Sequence, residues 1–416
     1  MSKKIVLALV LALLTCTFAF ANGSAESSDD GKTQIVFWHR TFDDFSKEEA
    51  AFEAANPDID VVNEAVGGDY DDLYTKYMTA IASNSLPNAG IVGQRHGIPE
   101  MYESGKLLVI EDYLPEESLN DIMPAFWGRF IYDGKRVCIP YSSSVPVLYY
   151  NADLFEEYGL EVPKHFEEIP AVAKALTLDK DGDGKTDVYG FNFNSDTAWY
   201  IQPWAWDEGA TIIISDSEAS VDNEGYLAVF NGIHKMVFED KSMPSNQHST
   251  SLEDFKNGFT AMFVTSSANL SQLQGSCSFR LGVAPFPGTY TALGGNSIGL
   301  FATDDDKELE ATIKWITYLI SLDGSLTNIM KGYLPIRTSF MESEEIKNLI
   351  ASEPLREVSI ESSENIYPQP VNVADSTIWQ ETMDILSKVE TDPNADIPAL
   401  LKDFQKTVDD FYNDYY

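Results

Sequence analysis

Residues 33–40, TQIVFWHR, are rich in β-branched and aromatic side chains and read as a short strand. The following DDFSKEEAAFEAANPDIDVV is charged and alanine-rich as far as Asn56 and Pro57, then turns β-branched, which predicts a helix, a stop and a second strand. Strand, helix and strand with short joins imply a parallel α/β layer. A helix in DYDDLYTKYMTAIASNS sets Leu73, Tyr77 and Ile81 on one stripe, and residues 84–87 end it. In YSSSVPVLYYN, three hydroxyls lead into a stretch too β-branched and aromatic for a helix, so residues 145–151 read as a strand and NADLFEEYGL starts a helix. Strands follow in TAMFVTS, FRLGVAPFP and ALGGNSIGLFAT. SLEDFKNG carries a Ser-x-x-Asp cap signal before a short helix ended by Gly258. The helix in LEATIKWITYLISL aligns Ile313, Ile316 and Ile320 beside Trp315 and Leu319, and the acidic C-terminal part is helical. DTAWYIQPWAWDEGA shows neither period and contains a proline, so it is expected to be a loop.

The N-terminus has a different pattern. Lys3 and Lys4 precede an apolar run over residues 5–14, and Ala19-Phe20-Ala21 completes the layout of a secretory signal cleaved after Ala21. Cleavage before Cys16 with lipid on its thiol is the alternative, to which Leu14-Thr15 is a poor match. Residues 22–32 read as a flexible tether. No later run approaches the roughly 18 apolar residues of a bilayer span, so the mature chain is expected in the periplasm or cell envelope. Its length allows two domains with proper cores. The formal charge is −38, and losing Lys3 and Lys4 with the signal makes it −40. Such a surface repels a duplex, so no nucleic-acid partner is expected. Cys138 and Cys277 each sit in an apolar stretch and read as buried free thiols.

Two motifs raise the question of chemistry. Gly295-Asn296-Ser297-Ile298-Gly299 fits G-x-S-x-G, but a nucleophile elbow needs a helix directly after its serine and a histidine later in the chain. LFATDDD follows instead, and His39, His96, His165, His234 and His248 all precede Ser297, so a secreted hydrolase is the remote reading and no enzyme is expected. In DKDGDGKTDVYG, Asp179, Asp181, Asp183 and Asp187 stand at the alternate positions of a calcium loop with Gly184 at the turn. Gly190 stands where a bidentate Glu would close the sphere, so the loop is either a structural calcium site or an acidic turn; no other cofactor is expected. Trp38, Tyr70, Trp199, Trp204, Trp206 and Tyr333 offer flat apolar faces of the kind that suit sugars. The three tryptophans of WYIQPWAWDEG, in a segment without period, read as a ligand face.

The stretches VFWHR, YSSSVPVLYYNADLF, GFTAMFVTSSANL, LGGNSIGLF and KGYLPIRTSF, in this order from Val36 to Phe340, resemble the family 1 extracellular solute-binding proteins of ABC importers, most closely the periplasmic glycerol-3-phosphate-binding proteins. The resemblance implies a periplasmic-binding-protein fold: two doubly wound α/β lobes around a ligand cleft, joined by hinge crossings near Ser143, Gly295 and Pro335. Lobe 1 is then residues 33–143 and 296–335, and lobe 2 residues 144–295 and 336–416. It places Tyr70, Ser143 or Ser144, Ser267, Gly295 and Tyr333 at the ligand, with Trp204 and Trp206 as stacking rings and Trp38 at the end of the first strand. The implied function is capture of a carbohydrate or polyol by a monomer that delivers it to an ABC permease; glycerol-3-phosphate or a related phosphodiester is the alternative. Two departures bear on that choice. Arg95, in GQRHG, stands where the glycerol-3-phosphate proteins carry an acid, and YPQPVNVADSTIW lacks their C-terminal arginine. Phosphate recognition uses a fixed cationic fork, which here only Arg95 or Arg40 could supply, so a neutral carbohydrate hydrogen-bonded by Arg95 is favoured.

Overall fold

The computed structural model describes residues 31–95, 97–195 and 198–416. The expected signal at 1–21, Cys16 and tether residues 22–30 lie outside the described residues.

Nine strands build two sheets. The first contains β1 (Thr33–Arg40), β2 (Ile59–Gly67), β3 (Ala89–Gly93), β4 (Ile139–Ser144) and β9 (Gly294–Leu300) in the order β2-β1-β3-β9-β4. β1 is parallel to β2 and β3, while β9 runs antiparallel to β3 and β4. The second contains β5 (Pro146–Asn151), β6 (Tyr189–Phe193), β7 (Thr260–Ser266) and β8 (Leu281–Pro285) in the order β8-β5-β7-β6. The β1–helix–β2 unit forms because α1 (Ser46–Ala55) turns Phe52 inward, and because Asn56 and Pro57 cannot extend it. The helix α2 (Tyr70–Ser83) is capped by Asp69, whose side chain accepts from Asp72 N, and stops at Asn84 in the left-handed conformation (φ 52°). It buries Leu73, Tyr77 and Ala80 against the first sheet.

The sheets are joined at three places. Between β4 and β5 only Val145 intervenes, so one extended run passes from the first sheet into the second. Residues 286–293 return from β8 to β9. The third passage was expected at Pro335, but residues beyond it still bond to the first lobe: Arg337 Nη1 donates to Ser118 O at 2.8 Å, and Thr338 N to Asp121 O at 2.9 Å. The chain therefore stays on lobe 1 past Pro335, because a buried guanidinium needs those acceptors, and α7 (Leu355–Ser362) then packs on β8.

One element differs outright from its sequence reading. WYIQPWAWDEG was expected to be a loop, but Ala198–Asp207 is a helix, α3, with Pro203 inside it. Eight of its ten residues are buried, so no polar stripe marks a helical period. In the short helix Ser251–Lys256, Ser251 was expected to cap but lies inside; Thr250 is the N-cap and its hydroxyl donates to the Asp254 carboxylate. Cys138 and Cys277 are free thiols, and burial pushes the Cys138 thiol up to about 12.

Candidate functional site: the cleft between the two sheets

The two passages Ser142–Val145 and Leu293–Gly295 lie side by side, with Gly294 opposite Ser144 and Gly295 opposite Ser143. A β-carbon on Gly295 would stand 1.7 Å from Ser142 O, and its φ of +95° is one that only glycine adopts freely. At Gly294 the missing β-carbon leaves room for the edge of Trp199, whose Cζ2 lies 2.1 Å from where that carbon would be; the Ser144 hydroxyl lies 2.8 Å from it. Trp199 Nε1 donates to Leu293 O at 3.1 Å, which fixes the indole at the crossing.

Ser267 joins this centre. Its backbone N donates to Val145 O at 2.8 Å, and Gly332 packs against its carbonyl. Leu334 N donates to Ser143 O at 2.8 Å, which brings the segment containing Tyr333 to the same place. Ser143 is fully buried and its Oγ has no hydrogen-bond partner.

A cavity opens on each side of the crossing. One is narrow, about 30 Å³, and is walled by Gln94, Arg95 and Arg129 from lobe 1 and by Trp199, Gln202, Trp206, Tyr367, Gln369, Asp375 and Trp379 from lobe 2. Trp206 Nε1 and Gln94 Oε1 are buried there without hydrogen-bond partners. The Arg95 guanidinium lies over the Trp379 ring, 3.2 Å from its centroid. The other cavity, about 530 Å³, is polar: Arg40, Asp43, Asp44, Glu48, Ser142 and Asn296 line it with Asn269, Gln272, Asn328, Lys331 and Tyr333, with Phe42 exposed among them. Tyr70 stands beside it. Its hydroxyl accepts from Asn296 Nδ2 at 3.1 Å, and Arg40, held on Asp43 at 2.7 Å and 3.0 Å, lies over its ring at 4.2 Å. Burial raises the Tyr70 hydroxyl's pKa, so it remains a neutral donor and acceptor.

The fold thus brings Tyr70, Arg95, Ser143, Ser144, Trp206, Ser267, Gly295 and Tyr333 to the crossing and its two cavities. Trp38 and Trp204 lie elsewhere. Trp38 Nε1 donates to Glu64 at 2.8 Å and its ring lies 5.5 Å from Tyr77, because its position on β1 points it along the sheet's helix-covered side. Trp204 has no exposed surface; it stacks on Phe286 at 5.1 Å and donates to Pro287 O at 2.9 Å in the second core. The helical turn of α3 separates it from Trp206, which the loop reading had grouped with it. Ser297 is an interior residue of β9 whose Oγ donates to Val92 O at 3.1 Å. In the Asp loop, Asp179, Asp181 and Asp187 bring carboxylate oxygens within 4.8 Å of one another, while Asp183 is drawn off by Lys185 at 2.7 Å.

Reading the sequence missed Gln94, Arg129, Gln202, Tyr367, Gln369, Asp375 and Trp379 as cleft residues. A signal is present in YPQPVNVADSTIW, where aromatic and amide side chains crowd a proline-broken segment.

Two mixed α/β lobes connected by several strands around a polar and aromatic cleft define a ligand-binding protein. The family model of the bacterial extracellular solute-binding proteins matches residues 49–354, and the chain belongs to that family, whose members serve ABC importers. A binding protein of Brucella abortus is 27% identical over 330 residues, covering 75% of this chain and 78% of its own length. Among solved structures, a maltose/maltodextrin-binding domain from Bdellovibrio bacteriovorus bound to maltotriose superposes with a TM-score of 0.78 at 22% identity, over 92% of this chain and 100% of that one. UgpB from Mycobacterium tuberculosis in complex with glycerophosphocholine gives 0.80 at 20% identity, over 92% and 99%. The fold is the periplasmic-binding-protein fold.

Proposed function

We propose that this chain is exported after cleavage behind Ala21 and captures a neutral carbohydrate or polyol between its lobes as a monomer for delivery to an ABC permease. The observation that carries the ligand class is the pair of buried, unpartnered polar atoms in the aromatic cavity, Trp206 Nε1 and Gln94 Oε1. Folded proteins rarely leave such atoms unsatisfied, and a donor and an acceptor among flat aromatic faces suit a hydroxyl-rich ligand with apolar C–H faces. The surrounding field of the cleaved chain, −40 once Lys3 and Lys4 are lost from −38, disfavours entry of an anion. Ligand-driven closure follows from preferential binding to the closed form.

A second reading is favoured by Arg95 and Arg129 in the same cavity and by the fold shared with the glycerophosphocholine complex: a phosphorylated glycerol or its diester. The Asp loop is proposed as a structural calcium site apart from the cleft, held by Asp179, Asp181 and Asp187.

A thermal-shift panel of neutral oligosaccharides, polyols, glycerol-3-phosphate and glycerophosphocholine separates the readings, since a ligand at about 100 times its Kd stabilises by about 2.7 kcal/mol. The expected stabilisers are neutral sugars. Micromolar binding of glycerol-3-phosphate that Arg95→Gln abolishes, with no neutral sugar bound, would sink this reading.

A further inference from the structure

The aromatic cavity contains a carboxylate of the protein's own. Asp375 opens helix α8 (Asp375–Thr391) and is 7% exposed. Its Oδ2 accepts from Arg129 Nη2 at 3.0 Å and from Asn372 N at 2.9 Å. Arg129 belongs to the first lobe, and its Nη1 also donates to Pro370 O at 3.2 Å. The next residue of α8, Ser376, donates its hydroxyl to Arg95 O at 3.1 Å, and one turn further on Trp379 carries the Arg95 guanidinium on its face. The start of α8 therefore touches both lobe 1 arginines, and among the described residues Arg95, Arg129 and Asp375 are the charged side chains lining this cavity. Burial raises the Asp375 pKa while both arginines favour its ionised form.

We infer that Asp375 is a specificity-determining residue, a built-in counter-anion that occupies Arg129 and excludes a phosphomonoester dianion from the cavity. The inference rests on the neutral-ligand reading above and adds the device that enforces it. An arginine fork already engaged by a carboxylate has fewer donors to offer a phosphate, and a second anion brought beside that carboxylate meets like-charge repulsion. A hydroxyl-rich ligand meets no such repulsion and can accept from the N–H groups of Arg129 that Asp375 and Pro370 do not engage.

The test measures binding of sn-glycerol-3-phosphate and of maltotriose by calorimetry to the wild type, Asp375→Asn and the double variant Asp375→Asn/Arg129→Gln. Asparagine keeps the shape and an acceptor for Asn372 N, and its lack of charge takes the formal charge of the three lining groups from +1 to +2. Asp375→Asn is expected to tighten glycerol-3-phosphate at least about tenfold relative to wild type, and the double variant to lose that gain. If Asp375→Asn does not fold, Asp375→Ser, whose hydroxyl can also accept from Asn372 N, is read in its place. A folded Asp375 variant with no gain in glycerol-3-phosphate affinity overturns the inference and leaves the neutral-ligand reading standing if maltotriose binds the wild type. Micromolar binding of glycerol-3-phosphate by the wild type overturns both.

Discussion

Trp206 stacks on Tyr367 with ring centroids 4.4 Å apart and planes 17° from parallel, so a helix of lobe 2 and the segment before α8 together form one wall of the aromatic cavity. Both Trp206 and Trp204, two positions earlier in the same helix, belong to the second core, but only Trp206 also lines the cavity, while Trp204 is wholly enclosed. The two tryptophans therefore separate binding from folding. Trp206→Ala is expected to weaken ligand binding by about 1 to 3 kcal/mol, by analogy with bases stacked on aromatic side chains, and to remove most of a ligand-induced fluorescence change. Trp204→Ala is expected to cost about 3 to 5 kcal/mol of stability, as for a large aromatic removed from a core. Titration and denaturant unfolding check both; full ligand affinity in Trp206→Ala would contradict the assignment.

Gly295→Ala tests the crossing. Its β-carbon would overlap Ser142 O in a backbone conformation with φ +95°, whereas Gly134, at φ +70°, has nothing within 4 Å of its own. Gly134→Ala should cost about 1 to 2 kcal/mol, the left-handed penalty alone. Gly295→Ala should cost more and also weaken ligand binding, because the strand must move away from Ser142 and Ser143. Equal stability loss in the two variants with unchanged affinity would show that the close approach is not needed.

Calcium should raise the melting temperature of the ligand-free protein without changing ligand affinity, since the Asp loop is apart from the cleft-lining residues. Asp181→Asn should abolish the shift, and Asp183→Asn should keep most of it because Asp183 pairs with Lys185. A melting curve that chelator leaves unmoved reduces the loop to an acidic turn.

His165 Nδ1 lies 3.0 Å from Asp207 Oδ2, and that hydrogen bond raises the His165 pKa above 6.5. A group whose folded pKa is raised adds stability that is complete below its unfolded value and is lost as pH rises through the folded value. Stability should therefore fall gently from pH 6.5 upward, and His165→Gln should flatten that slope. His165 is 46% exposed, so solvent screening keeps the effect below about 1 kcal/mol. Denaturation midpoints across this range check it; an unchanged slope in His165→Gln assigns it to another group.

The sequence by itself was enough for the strand–helix–strand unit at the start, the stop of α2 and the strand that follows Ser142–Ser144. Each rests on local chemistry: β-branched runs and an Asn able to adopt a left-handed turn. The quoted motifs also led to the family; two of them, YSSSVPVLYYNADLF and LGGNSIGLF, sit at the crossings, where Gly295 must lack a β-carbon beneath Ser142 O. The helix Ala198–Asp207 could not be seen locally, since a helix buried on nearly every side shows no polar stripe. For the same reason Trp204 and Trp206 looked equivalent until the helical turn left one wholly enclosed in the core and brought the other to the cleft. Tertiary structure alone could bring Arg129 to Asp375, 246 residues away, because pairing across a cleft depends on how two separately folded lobes face each other, which no local pattern encodes.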